Sequence, residues 1–481
     1  MKLAEYANYD GLGLAKLVAS HQMTAKELAE LMLLAVEYVN PQINSVIEVY
    51  RQRVIQMRQD ELPSGSFAGV PFLLKDAGAA EEGQIQEIGS RLLRGRRHAG
   101  ETFLASRFKA AGLSILGRST VPEFTLSSST ESLLTGATHN PWRLGLMAGG
   151  SSGGAAASVA AGIVPVAHAS DGAGSIRIPA SCCGLVGLKP SRGRVSLGPT
   201  IGESLQGMGV EFALTRTVRD CAAMLDAVAG AQIGDPFVIS QPQRSYQEEL
   251  GIPTGNLRIA WTDHCWLPGR PVHPEVVEAV HHVVRTLEAM GHHLVEAQPN
   301  FDYEEYLRAI CVGWVYGFNQ WLDQMAVELG RAVGPDTLEA VTLHCYEQAQ
   351  RLTVDDLVWA ESVYNQLRRA VGEFFAGYDL LLTPTLTEPP EPLGKYSLNA
   401  SDVDFLGFFR RCDESASHMP LFNLTGQPAI SLPLAQSQDR LPIGIQFVAH
   451  FGREDQLLRL ASVLEEALPW RDRRALIHVS R

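Results

Sequence analysis

The stretch MAGGSSGGAAASVAAGIVPVAHASDGAGSIRIP, from Met147 to Pro179, sets three serines (Ser151, Ser152 and Ser175) among glycines and alanines. Side chains this small let a helix and a strand approach closely, and a chain concentrates glycine where its backbone bends sharply or passes near something. The segment GGAAASVAAG from Gly153 predicts a closely packed helix, and IVPVAHAS, Ile163 to Ser170, predicts a buried strand, with Pro165 weighing against a fully paired central position. A helix that leads directly into a strand runs antiparallel to it. The loop before the helix and the turn after the strand then meet at one edge of the sheet, which brings Ser151 beside the SDGAGS turn ending in Ser175.

The rest of the chain supplies the sheet. GVPFLLKD, Gly69 to Asp76, is a short apolar run with a Gly/Pro start and a charged stop, the pattern of a buried strand. If it lies parallel to the strand at 163–170, Lys75 emerges at the same edge, where open α/β sheets bind their ligands. Thr24 with Glu27 three residues on reads as a helix start, and ETFLASRFKAAGLSILGRST as a helix ending at Gly112 followed by a strand at 113–117. A helix stopping at Gly291 enters another strand, and Tyr378–Thr385 and Gln427–Ala449 hold more. Residues 301–375 read as mainly helical, with the aromatic-dense YLRAICVGWVYGFNQWL as core, a pocket wall being the lesser alternative. Such alternation predicts an α/β fold. No linker, low-complexity tract or repeat divides the 481 residues, so a single domain is expected.

Composition narrows the function. A formal net charge of −13 argues against a nucleic-acid surface, and the one basic run, Arg91 to His98, reads as a solvated loop. Seven cysteines with no CxxC pair and no zinc-like Cys/His spacing fit reduced thiols and no metal site. The amino terminus lacks an apolar signal core, and no stretch reaches the ~18 apolar residues of a membrane span. A cytoplasmic protein without membrane contact, as monomer or homodimer, is the expectation.

The serines admit several chemistries. Gly150-Ser151-Ser152-Gly153-Gly154 fits G-x-S-x-G, which would make Ser152 a nucleophile on a strand-to-helix elbow, but NPWRLGLMA before it is a poor strand. A phosphate-binding loop would need a lysine that is missing between Ser119 and Gly187. In the third reading Gly172, Ala173 and Gly174 turn tightly ahead of Ser175, so that several backbone N–H groups share one small volume, as in an oxyanion hole. A serine hydroxyl needs a base. The only nearby histidine, His168, lies within an apolar strand and reads as structural, which leaves Lys75. A lysine serves at neutral pH only if burial or neighbouring positive charge lowers its pKa by roughly three units.

GVPFLLKD, AGGSSGGAAASVAAG, SDGAGSIRIPASCCGLVGLKPSRGRV and FNLTGQPAISLPL…LPIGIQFV…GRE, in that order, resemble the amidase signature family over most of the chain. The resemblance is weakest between about 235 and 375. It implies a large twisted mixed sheet covered by helices on both faces, with a catalytic core at about 67–220 and a variable, substrate-shaping helical region at about 300–412. It also implies a triad of Ser175 as nucleophile, Ser151 after a cis peptide as proton relay and Lys75 as base. The oxyanion donors would be the N–H groups of Gly172, Ala173, Gly174 and Ser175, with Ser152, Asp171 and Arg177 as scaffold and no cofactor. Where the family usually has TDTGGS or SDTGGS this chain has SDGAGS, so one oxyanion peptide belongs to Ala173. With GSRLLRG and PEFTLSSS this variant looks more like stand-alone bacterial amidases, including those that open cyclic amides of the nylon-oligomer type, than the tRNA-dependent amidotransferase subunit. Thr125, Ser127 and Cys311 are the substrate-contact candidates for a small or medium linear or cyclic carboxamide. Release of ammonia from glutamine for a tRNA-dependent amidotransferase and a non-catalytic scaffold are the competing functions.

Overall fold

The computed structural model describes residues 1–58 and 64–481. Among these residues eleven strands form one mixed sheet: β1 (Val46–Val49), β2 (Pro71–Lys75), β3 (Ser114–Ser119), β4 (Val166–Asp171), β5 (Val186–Lys189), β6 (Val210–Thr215), β7 (Arg258–Trp261), β8 (His293–Glu296), β9 (Leu380–Pro384), β10 (Ala429–Gln436) and β11 (Pro442–Ala449). Their order across the sheet is β1-β3-β2-β4-β6-β5-β10-β11-β9-β7-β8. The pairs β2–β3, β2–β4, β9–β7 and β7–β8 are parallel and the others antiparallel. This is the expected α/β class. The strand expected at 163–170 begins instead at Val166, which leaves Pro165, with no N–H to give, outside the ladder.

Local signals account for the helices. Thr24 Oγ1 accepts from the Glu27 amide at 3.1 Å while Glu27 Oε2 accepts from the Thr24 amide at 2.7 Å, closing a capping box that starts the helix Ala25–Ile43. Its apolar stripe, Leu28, Met32, Ala35 and Val39 among others, is buried in the core around β1 to β3. The segment that read as mainly helical carries Tyr303–Val315, Phe318–Leu329, Ala340–Ala349 and Val354–Ala376, which close over a second apolar core with Phe408, Leu421 and Phe422. The basic run is a correction: Leu92 and Leu93 are fully buried, and Arg91 Nη2 donates to the Leu338 carbonyl at 2.7 Å, so the run is docked on the helical region rather than free in solvent.

The small-residue helix, Gly153–Ala160, is buried from Gly153 through Val159. A Cβ on Gly154 would lie 2.3 Å from Thr120 Oγ1 and 2.4 Å from the Thr120 amide nitrogen, so glycine permits this approach. Two effects oppose each other in Gly154→Ala. Alanine gains about 1 kcal/mol in helix propensity, whereas overpacking against fixed backbone costs about 1–3 kcal/mol. The clash should dominate. With approaches of 2.3–2.4 Å the cost lies at the upper end of its range, so urea unfolding is expected to report a net loss of up to about 2 kcal/mol, and an unchanged or raised stability would contradict the packing argument.

Candidate active site

Parallel pairing carries Lys75 to the carboxyl end of β2, beside the end of β4, because Phe72 lies opposite Val166 and Leu73 opposite Ala167. Its Nζ reaches Ser151 Oγ at 2.7 Å, Ser170 Oγ at 2.8 Å and the Ser170 carbonyl at 3.4 Å. Lys75 and Ser151 are each 1% exposed. The Lys75 amide donates to His168 Nδ1 at 3.2 Å, so the ring carries its proton on Nε2, which lies 3.1 Å from Glu211. His168 is thus a buried support for β2. Asp76, next to Lys75 in the chain, pairs instead with Arg118 at 2.8 Å.

Burial lowers the Lys75 pKa from 10.5 to about 7, against the smaller opposing pull of the Glu211 and Asp171 charges. An amine that has lost its hydration and meets only hydroxyls and a carbonyl is poorly compensated as an ammonium. Three polar neighbours, none of them a carboxylate, keep the neutral form competitive.

Ser151 follows a cis peptide from Gly150. Ser152 sits at the start of the helix with its Oγ 3.2 Å from the Ser170 carbonyl, to which it donates. Since no strand precedes it, the nucleophile-elbow geometry is not formed. Ser175 follows β4 and its Oγ has no partner among the described residues; the residue lines a cavity that Gly150 and Ala173 also line.

Asp171 and Arg177 hold the turn between them. Arg177 Nε and Nη2 each donate to the Asp171 carboxylate at 3.0 Å, with both residues fully buried. Burial works to raise the Asp171 pKa, but the Arg177 charge and hydrogen bonds outweigh it and hold the carboxyl well below the usual range. Asn423 Nδ2 donates to Asp171 Oδ1 at 2.9 Å, and Arg177 Nη1 donates to Gln446 Oε1 at 2.8 Å. Asn423 and Gln446 were not among the expected site residues, although both stand inside the carboxyl-terminal segments NLTGQPAISLPL and LPIGIQFV.

Two expectations are corrected. The Gly174 amide donates to Asp171 Oδ1 at 2.6 Å and is therefore spent on the scaffold, while the Gly172, Ala173 and Ser175 amides meet no acceptor among the described residues. Cys311 lies 4% exposed in the second apolar core, and Cys412 lines the cavity in its place. A thiol one helical face away points into packing, a distinction that spacing alone does not make. Thr125 and Ser127 do line the cavity, but Ser127 Oγ is committed, donating to the Tyr396 carbonyl at 2.7 Å and accepting from the Ser129 amide at 3.0 Å. Aromatic residues of the helix Tyr303–Val315, Tyr306 and Trp314, complete one wall. Among the described residues no cluster of three or more His, Cys, Asp or Glu is arranged to hold a metal ion, and no helix is long and apolar enough to cross a membrane.

The sequence pattern of the amidase family matches residues 27–458. The 6-aminohexanoate-cyclic-dimer hydrolase of Paenarthrobacter ureafaciens is 37% identical over 98% of this chain and 97% of its own. The acylamidase of Rhodococcus erythropolis is 33% identical over 96% of each chain. A solved structure of 6-aminohexanoate cyclic dimer hydrolase complexed with substrate has a TM-score of 0.90 at 34% identity, covering 98% of this chain and 100% of that one. Fold and relatives together define a hydrolase of amide carbon–nitrogen bonds. The chain belongs to the amidase signature family.

The buried amine has a stability signature. With a folded pKa near 7 and an unfolded one near 10.4, the unfolded state binds more protons between those values, so this group's contribution rises with pH through that window and is most unfavourable below it. Lys75→Met keeps the shape and removes the ionisable group. Urea unfolding at pH 7 is expected to find the variant roughly 1–3 kcal/mol more stable after the lost hydrogen bonds are discounted; a variant less stable than the parent would mean that the amine stabilises the fold.

Proposed function

We propose that this amidase works through an acyl-enzyme on Ser175, with Ser151 as proton relay and Lys75 as base. The carrying observation is the 2.7 Å contact between Lys75 Nζ and Ser151 Oγ, made by a buried amine whose pKa has fallen to about 7. A neutral amine has two N–H bonds and one lone pair. The two donors suit the Ser170 carbonyl and Ser170 Oγ, which leaves the lone pair for the Ser151 hydroxyl.

In the first half-reaction Ser151 gives its proton to Lys75 as it takes one from Ser175, whose Oγ bonds to the amide carbon. The developing oxyanion is received by the free N–H groups of Ala173 and Ser175, with Gly172 beside them. As the carbon–nitrogen bond breaks, Ser151 passes a proton to the departing amine and regains one from the Lys75 ammonium. Water then attacks the ester through the same relay, giving the carboxylic acid and restoring Ser175. Asp171, Arg177 and Ser152 act as scaffold.

The substrate is a small or medium carboxamide. The mostly apolar cavity supports this, as do relatives named for a cyclic 6-aminohexanoate dimer and for acylamides. The cavity lies where residues of the core at about 67–220 meet those of the helical region at about 300–412, in keeping with the second as the part that shapes substrate choice. A cytoplasmic monomer or homodimer acting without a cofactor completes the reading.

Ser175→Ala is expected to lower kcat/KM by at least ~10³-fold and Lys75→Ala by about 10²–10⁴-fold, measured as amine release from a panel of linear aryl, aliphatic and cyclic amides. Turnover undiminished in Ser175→Ala would overturn the triad. Because Lys75 acts only when neutral, kcat/KM should climb as pH rises through about 7 and level off above it. A profile flat across that range would exclude Lys75 as the base.

A further inference from the structure

The helix Phe405–Ala416 turns Phe409, Cys412, Asp413 and Ala416 toward the cavity that holds Ser175. Residues three and four apart share a helix face, so one carboxyl is presented beside a thiol and two apolar side chains. Asp413 is 6% exposed. Its Oδ2 accepts from the Tyr303 hydroxyl at 2.9 Å, and its Oδ1 meets no donor among the described residues. Arg410, one turn earlier, faces outward and is paired with Glu304 at 2.5 Å. The surrounding wall, with Leu126, Ile178, Leu307 and Ile310, supplies no cation.

A carboxylate removed from water needs donors to replace its hydration. Tyr303 supplies one. Burial pushes the Asp413 carboxyl up to about 7, only partly offset by the Tyr303 hydrogen bond and the Arg410 charge, the state of an acid still short of partners. The residue that carries this free oxygen lines the same cavity as Ser175.

We propose that Asp413 determines specificity: its unpartnered carboxylate oxygen accepts a hydrogen bond from an N–H of the substrate remote from the scissile carbonyl, so that preferred amides carry a second nitrogen donor. The donor is an ammonium or a second amide N–H, and a substrate that ends in a carboxylate is repelled. This rests on the assignment of Ser175 as the nucleophile of the same cavity. Tyr303 is then a positioning residue that orients the carboxylate.

The test compares anilides of a straight-chain alkanoic acid with the ω-amino, ω-acetamido and ω-carboxy counterparts, each over a range of chain lengths, by kcat/KM for aniline release. At the best length the nitrogen-bearing substrate should exceed its methyl-ended analogue by roughly tenfold or more, the carboxy compound being the poorest. Asp413→Asn should reduce the amino advantage to about twofold, change the methyl-ended substrate by less than about threefold, and improve the carboxy substrate. An acetamido advantage that survives in Asp413→Asn identifies the ammonium as the donor that needs the charge; one that falls with it identifies an amide N–H as a donor too, and either supports the proposal. No preference in the wild-type enzyme at any length would overturn it, and so would an equal loss on all four substrates in a folded Asp413→Asn. The wild-type profile is read without any variant, so an unstable variant does not shelter the idea. Failure of the nucleophile assignment would instead be seen as anilide turnover that persists in Ser175→Ala.

Discussion

A carboxylate shut away from water must be answered by a full set of donors, and Asp171 is the place where this molecule meets that demand. Its two oxygens take Arg177 bidentately, the Gly174 and Ile176 amides and the Asn423 amide. Arg177 in turn reaches Gln446 on β11 and the Met419 carbonyl. The turn carrying Ser175 is thereby fastened to residues more than two hundred positions away. Breaking a buried pair on one side leaves an uncompensated charge, a penalty of about 3–5 kcal/mol. The geometry of the Ser175 loop is therefore a property of the whole carboxyl-terminal half.

Two interior lysines illustrate how surroundings decide what an amine can do. Lys75 and Lys189 are both buried and both fall to about 7. For Lys189 burial is joined by the positive charges of Arg177 and Arg192, and its Nζ donates to the Pro190 carbonyl at 2.9 Å. Lys75 faces two hydroxyls that can exchange protons. Equal basicity thus has different consequences, because only one amine touches a group with a proton to pass.

Much of this was legible beforehand, and the reasons are local. The run PFLLK bounded by glycine and aspartate specified a buried strand with a lysine at its end, and helix-to-strand order set Ser151 and Ser175 at one edge. What resisted were features that depend on which way a side chain turns or on partners far along the chain. The Gly174 amide could be assigned to Asp171 only once the turn was built. Cys311 and Cys412 look alike as letters, yet one is packed in a core and the other lines the cavity. Asp413 gave no signal because an acid beside Glu414 in a polar helical stretch, FFRRCDES, resembles any solvated residue.

The pairing of β2 with β4 carries one more implication. Side chains alternate faces along a strand, so the amine of Lys75 meets Ser151 and Ser170 only in the register that sets Phe72 against Val166. A single residue inserted or deleted between Gly69 and Lys75 would swing that amine to the opposite face while leaving the hydrophobic content nearly intact. The length of this segment is therefore fixed by strand register in a way that its apolar composition is not.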